Sequence, residues 1–174
     1  RLPVIVHAGA HATGQAVRLA VAARAAGADA VSVLSPPFYR LDEAALADHF
    51  TAVARAVQGF PVFLYNIPEY AGNDISPDLL LRVASRADNV IGIKYSGDSI
   101  EMLRGYRRAM GSGFRIFNGN DSLALAALRE GADGIVSGNA SARPELLTSL
   151  YAAFRAGSLD DAAGLAGNLG VRPG

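Results

Sequence analysis

Of the 16 basic residues in this chain, 15 are arginines and one is a lysine, Lys94. It closes the apolar run Val90-Ile91-Gly92-Ile93. An amine among apolar neighbours loses hydration that its ammonium form needs, and the neutral amine is the form that attacks a carbonyl to give an imine. A protonated imine is an electron sink, able to hold the carbanion left when a carbon–carbon bond breaks. Tyr65 ends an earlier apolar run, Pro61-Val62-Phe63-Leu64. A phenol beside such an amine can relay protons during imine formation and cleavage. Each residue also has an ordinary reading: a strand-end lysine reaching solvent, and a core tyrosine with its hydroxyl at the rim. The arginine surplus reads as compositional bias, which leaves the position of the one lysine unexplained.

The elements that must position these groups alternate regularly. Short β-branched runs at Pro3–His7, Ala30–Leu34, Pro61–Asn66, Val90–Lys94, Phe114–Asn118 and Gly134–Ser137 are each followed by a helical pattern. Thr13 is expected to cap the first helix, which Gly27 closes; Asp42 is a plausible cap for the second, and Pro77 suits a first helical position after Ser76. The stretch 67–75 is expected as loop. The next helices are expected near 98–110, 121–130 and 143–156. Alternation with short connections predicts a parallel sheet with helices outside it, and near-continuous apolar strands suit burial on both faces.

No G-x-G-x-x-G follows the first strand, which weakens a dinucleotide-binding reading. Units of similar length favour a TIM (β/α)8 barrel over a doubly wound sheet. Six units do not close eight strands, and such a barrel takes about 250 residues. The first two units are therefore expected to be missing, with 1–158 as barrel strands three to eight and 159–174 as the start of a C-terminal helical segment. In a barrel, chemistry gathers at the carboxyl ends of strands. Those ends are His7-Ala8-Gly9, Ser35 to Tyr39, Tyr65-Asn66, Lys94-Tyr95-Ser96, Asn118 to Asp121 and Val136 to Asn139.

Composition narrows the function classes. The chain is 51% hydrophobic with zero formal net charge and no basic run, a globular profile that points away from nucleic acid. No apolar stretch approaches the roughly 20 residues a membrane span needs, and no signal-peptide pattern opens the chain. Cysteine is absent, which removes disulfides and thiolate chemistry and fits a cytoplasmic location. His7, His11 and His49 have no metal-ligand spacing.

The segments Leu64-Tyr65-Asn66-Ile67-Pro68 with Gly72, and Ile91-Gly92-Ile93-Lys94 with Ser96-Gly97-Asp98, resemble the dihydrodipicolinate synthase and N-acetylneuraminate lyase superfamily. So do Pro36-Pro37-Phe38-Tyr39, Gly119-Asn120-Asp121 and Gly131 to Ser137. The match covers nearly the whole chain in the family's order. It implies a class I aldolase on a TIM barrel, with Lys94 as Schiff-base lysine, Tyr65 as proton relay and Val136 offering its backbone carbonyl. It implies a 2-oxo acid substrate such as pyruvate, no metal or organic cofactor, and a homo-oligomer (dimer or tetramer) in which a neighbouring subunit contributes a tyrosine. A gapless alignment puts Phe38 at that position and a one-residue shift puts Tyr39 there; Tyr39 is preferred because a relay needs a phenol. The family's carboxylate-binding Gly-Thr-Thr-Gly-Glu segment belongs to the second strand, among those expected to be missing.

Where synthases of the family carry an arginine two residues after the motif proline, this chain has Tyr70. Tyr95 replaces an acidic residue often found there. The resemblance is thus closer to sialic-acid lyases and 2-keto-3-deoxy sugar acid aldolases, with Glu69, Tyr70, Tyr95, Asn118 and Asn139 as candidates to bind a hydroxylated tail. The alternatives are dihydrodipicolinate synthesis, a dehydratase sharing the imine, and an inactive 2-oxo-acid-binding or scaffold barrel.

Overall fold

The computed structural model describes residues 1–169. Six parallel strands run in sequential order: β1 (Ile5–His7), β2 (Ala30–Leu34), β3 (Val62–Asn66), β4 (Val90–Tyr95), β5 (Arg115–Asn118) and β6 (Gly134–Ile135). The crossovers are α1 (Thr13–Ala25), α2 (Glu43–Ala56), the short α3 (Pro68–Ala71) with α4 (Pro77–Arg86), α5 (Ile100–Met110) and α6 (Ala124–Arg129). After β6 come α7 (Pro144–Arg155) and α8 (Leu159–Gly167). Sequential parallel strands with intervening helices make a half-barrel, part of a TIM-barrel-like α/β fold. The expectation for 170–174 lies outside the described residues.

Strand alternation assigns the two faces. Val31, Val33, Leu64, Ile93 and Ile116 are fully or nearly fully buried against Leu46, Phe50, Leu79, Leu80 and Leu103 of the helices. The alternate positions His7, Ser32, Phe63, Tyr65, Lys94 and Phe117 face the concave side. That face keeps its polar groups near the carboxyl ends of strands, where the crossover loops begin.

Several boundaries differ from expectation. Thr13 does not cap α1: it is the first helical residue, and its Oγ1 lies 2.9 Å from His49 Nδ1 while Ala12 takes the cap position. Asp42 and Ser76 do cap their helices, accepting from Ala45 N–H at 2.7 Å and Leu79 N–H at 3.1 Å. α5 starts at Ile100 and not near 98, capped by Ser99, its Oγ accepting from Met102 N–H at 3.2 Å. The stretch expected as loop after β3 contains α3, which Pro68 starts and Gly72 ends at φ +72°, the left-handed conformation that glycine adopts without strain. β6 is shorter than expected, because the chain turns into a 3-10 segment at Gly138–Ser141.

Candidate active site

Lys94 is paired in register with Tyr65 on one side and Phe117 on the other, so the three side chains form one inward row. Lys94 Nζ lies 4.1 Å from the centroid of the Tyr65 ring, well within cation–π range. The His7 ring meets Tyr65 edge-on, with centroids 5.8 Å apart and planes at 85°. Phe63 and Phe117 pack 5.5 Å apart on the same face. Together with Ser32 and Val136 these groups enclose a largely apolar cavity of about 200 Å³. Partial burial, and then the charge of Lys94, lower the His7 imidazole below its ordinary range.

A more polar opening of about 490 Å³ shares Tyr65, Lys94 and Val136 with that cavity. Glu69, Tyr70, Ser96, Asn120, Asp121 and Asn139 reach it from four different loops. Ser96 Oγ and Asp121 Oδ1 are buried atoms with no hydrogen-bond partner among the described residues. Such groups cost free energy unless something satisfies them. Asp121 is oriented by Asn139, whose Nδ2 donates to Oδ2 at 2.6 Å. Gly119 allows the close approach: a Cβ there would overlap Ser96 Oγ and come within 2.8 Å of Lys94 Cε.

The loop behind Tyr65 is anchored from the helix side. Asn66 Nδ2 donates to Asp74 Oδ1 at 2.6 Å and to Tyr106 Oη at 2.8 Å, and Tyr106 donates to Ile75 O at 2.5 Å. This network, buried around Asn66 and Tyr106, ties down the segment that presents Glu69 and Tyr70. A separate hollow of about 410 Å³ between β6 and α7 is mostly apolar, and Lys94 does not border it.

The profile of the dihydrodipicolinate synthetase family matches residues 1–169. The chain belongs to that family. Among its relatives is the "Probable 2-dehydro-3-deoxy-D-pentonate aldolase YjhH" of Escherichia coli K12, 36% identical over 168 residues. That match covers 95% of this chain and 56% of the relative. The 4-hydroxy-tetrahydrodipicolinate synthase of Methanosphaerula palustris is 34% identical over 166 residues, with the same two coverages of 95% and 56%. Among solved structures, YagE from E. coli K12, a member of this family crystallised in complex with pyruvate, superposes with a TM-score of 0.92 at 32% identity. It covers 97% of this chain, which in turn covers 57% of YagE. The chain thus spans a little over half the length of the family relatives it matches.

The structure brings Lys94, Tyr65 and Val136 together and puts Tyr70, 76% exposed, at the outer edge of the opening. Asn118, expected to contact substrate, is corrected: it is fully buried on the opposite face of β5, its Nδ2 donating to Asn120 O at 2.7 Å. Tyr95 is corrected for the same reason, being buried against Tyr106 with its hydroxyl accepting from Ser99 N–H at 3.2 Å. Tyr39 is 72% exposed and borders a different hollow, beside Phe38. Phe38 holds φ +88°, unusual for a residue with a side chain, and Asn73 fixes the surrounding loop. The sequence places His7, Ser96 and Asp121 among the strand ends but gives none of them a role. Inward parity at the ends of β1 and β4, and the loop after β5, were the available signals. Among the described residues no three His, Asp or Glu side chains cluster as a metal site would require.

Proposed function

We propose that this chain carries the imine-forming centre of a pyruvate-dependent aldolase or lyase acting on a 2-keto-3-deoxy sugar acid. The observation that carries the reading is the Lys94 amine, 4.1 Å over the Tyr65 ring and open to both the apolar cavity and the polar opening. The amine attacks the C2 carbonyl, and loss of water from the carbinolamine leaves an iminium ion. The Tyr65 oxygen, having given its proton to the departing hydroxyl, takes the C4 hydroxyl proton, and C3–C4 breaks. Its electron pair becomes the C2=C3 bond of an enamine, the iminium pair returns to nitrogen, and an aldehyde leaves. Protonation at C3 and hydrolysis release pyruvate and free Lys94. Tyr65, against the amine, supplies and recovers protons at the carbinolamine.

The sugar-acid assignment rests on the opening. Glu69, Ser96, Asn120, Asp121 and Asn139 line it, side chains of the type that hydrogen-bond a hydroxylated tail. The residue two after Pro68 is Tyr70, a neutral side chain with no carboxylate-binding charge. A relative's name as a 2-dehydro-3-deoxy-D-pentonate aldolase supports the same substrate class. The test is to incubate the full chain with pyruvate, reduce with borohydride, and map the mass increase by peptide mass spectrometry. An adduct on the Lys94 peptide, absent from Lys94→Ala, is expected. Pyruvate release from 2-keto-3-deoxy acids of five and six carbons then tests the substrate class. A folded protein that forms no adduct with any 2-oxo acid would sink the reading.

A further inference from the structure

Imine chemistry at Lys94 needs a base for carbon as well as groups for oxygen and nitrogen. Between iminium and enamine a proton must leave C3 of the bound acid, and Lys94 cannot take it because its nitrogen is then part of the iminium. Tyr65 is a phenol, a donor in its neutral form and a poor acceptor for a carbon-bound proton. The rest of the cavity offers Ile5, Phe63, Phe117, Val136 and the hydroxyl of Ser32. Among the described residues lining it, the other side chain that can accept a proton is His7.

Three observations converge on this imidazole. Its ring is edge-on to Tyr65 at 5.8 Å, on the same face of the sheet as the lysine. Among the described residues neither ring nitrogen has a hydrogen-bond partner, so its lone pair is uncommitted, unlike His49, whose Nδ1 is engaged by Thr13. Space is kept beside it: a Cβ on Gly9 would come within 2.7 Å of His7 Nε2 and 2.8 Å of Leu34 Cβ, so glycine there leaves room for both the ring and β2. Partial burial and the nearby Lys94 both favour the neutral ring, which is the form that accepts a proton.

We propose that His7 is a second proton-transfer residue of this site, taking the C3 proton of the Lys94-bound 2-oxo acid. The C3–H bond breaks and its pair becomes the C2=C3 bond. The iminium pair moves to nitrogen, and the proton ends on imidazole as imidazolium. In the cleavage direction the same imidazolium returns the proton to C3 of the enamine before pyruvate is released. This assignment rests on the Schiff-base reading above.

The experiment follows loss of the pyruvate methyl proton signal by NMR in deuterated water, for the full chain and for His7→Gln and His7→Phe. Borohydride trapping of pyruvate on Lys94 is run in parallel. Wild type should give both adduct and exchange. His7→Gln should give the same adduct with exchange slowed about 100-fold, the lower end of what a positioned acid–base group contributes. His7→Phe keeps a ring beside Tyr65 without a proton acceptor and should be equally slow. Exchange in either variant within about threefold of wild type, with the adduct present, overturns the role of His7 and leaves the imine mechanism standing. Absence of the adduct in wild type overturns the imine reading itself, and the role of His7 with it. Loss of the adduct in both variants would show that the ring acts on imine formation and not on C3, which also overturns the assignment.

Discussion

The Gly119→Ala substitution separates positioning of Lys94 from folding. The new Cβ would overlap Ser96 Oγ and lie 2.8 Å from Lys94 Cε. Normal carbon–carbon contact begins near 3.5 Å, so the lysine end must retreat by about 0.7 Å. The nearest obstructing atoms are the ends of the Ser96 and Lys94 side chains, with Ser96 Cβ at 3.1 Å behind them, and Gly119 is not in the positive-φ region that favours glycine. The backbone should therefore accept alanine with the fold intact. The amine, however, is displaced from its seat on Tyr65. A displacement near 1 Å at a reacting group can cost about 100-fold in rate, which is about 2.7 kcal/mol of barrier. The assay is the time course of borohydride-trapped pyruvate adduct at fixed pyruvate, alongside a thermal melt. We expect a melt close to wild type and trapping slowed about 100-fold. Trapping at the wild-type rate would refute the reasoning, since Lys94 would then not depend on the space that Gly119 leaves.

Gly92 provides the contrasting case, because a Cβ there would lie 2.7 Å from the backbone carbonyl of Arg115 on β5 and overlap the Phe63 ring. Strand backbone cannot step aside, so Gly92→Ala should cost about 3 kcal/mol in urea unfolding; an unchanged midpoint would count against the packing described. Asn73 accepts from Leu41 N–H and donates to Pro36 O and Tyr39 O, each at 2.8 Å. At about 1 kcal/mol per bond, Asn73→Ala should lose about 3 kcal/mol, and a loss below 1 kcal/mol would mean the loop holds itself. His49 is buried, and burial, partly offset by the nearby Leu34 backbone, lowers its imidazole below the ordinary 6.5. The unfolded chain then binds the proton first, so stability is fully present above about pH 7 and declines as pH falls through 6.5 toward the folded value. His7 adds a slope of the same sign. His49→Gln should reduce the loss of urea midpoint between pH 7.5 and 5.5, and an identical loss in both proteins would remove His49 from the account.

The sequence carried the order of the elements well because each strand and helix is announced locally. Apolar β-branched runs, Asp42 and Ser76 as caps, and Pro77 at a first helical position all act over a few residues. What it carried poorly depends on contacts between elements. Thr13 looks like a cap, yet its hydroxyl is engaged by His49, 36 residues away. The short helix at Pro68–Ala71 fits its loop because Asn66, Asp74 and Tyr106 tie that loop down from behind.

The site itself turns on parity. Strand ends were legible, but a strand end presents two neighbours to opposite faces, and a shift of one residue exchanges them. Once Lys94 faces inward, Tyr95 must face the helices. The pairing of Lys94 with Tyr65 and Phe117 then carries the same division to Asn66 and Asn118. Asn118 was thus a candidate by position along the strand and is excluded by face, while Phe117 takes the inward place. The same rule, followed to the end of β1, brings His7 to the concave face beside Tyr65. Parity therefore turns two polar candidates toward the helices and brings the His7 imidazole to the concave face, where the proposed imine chemistry would use it.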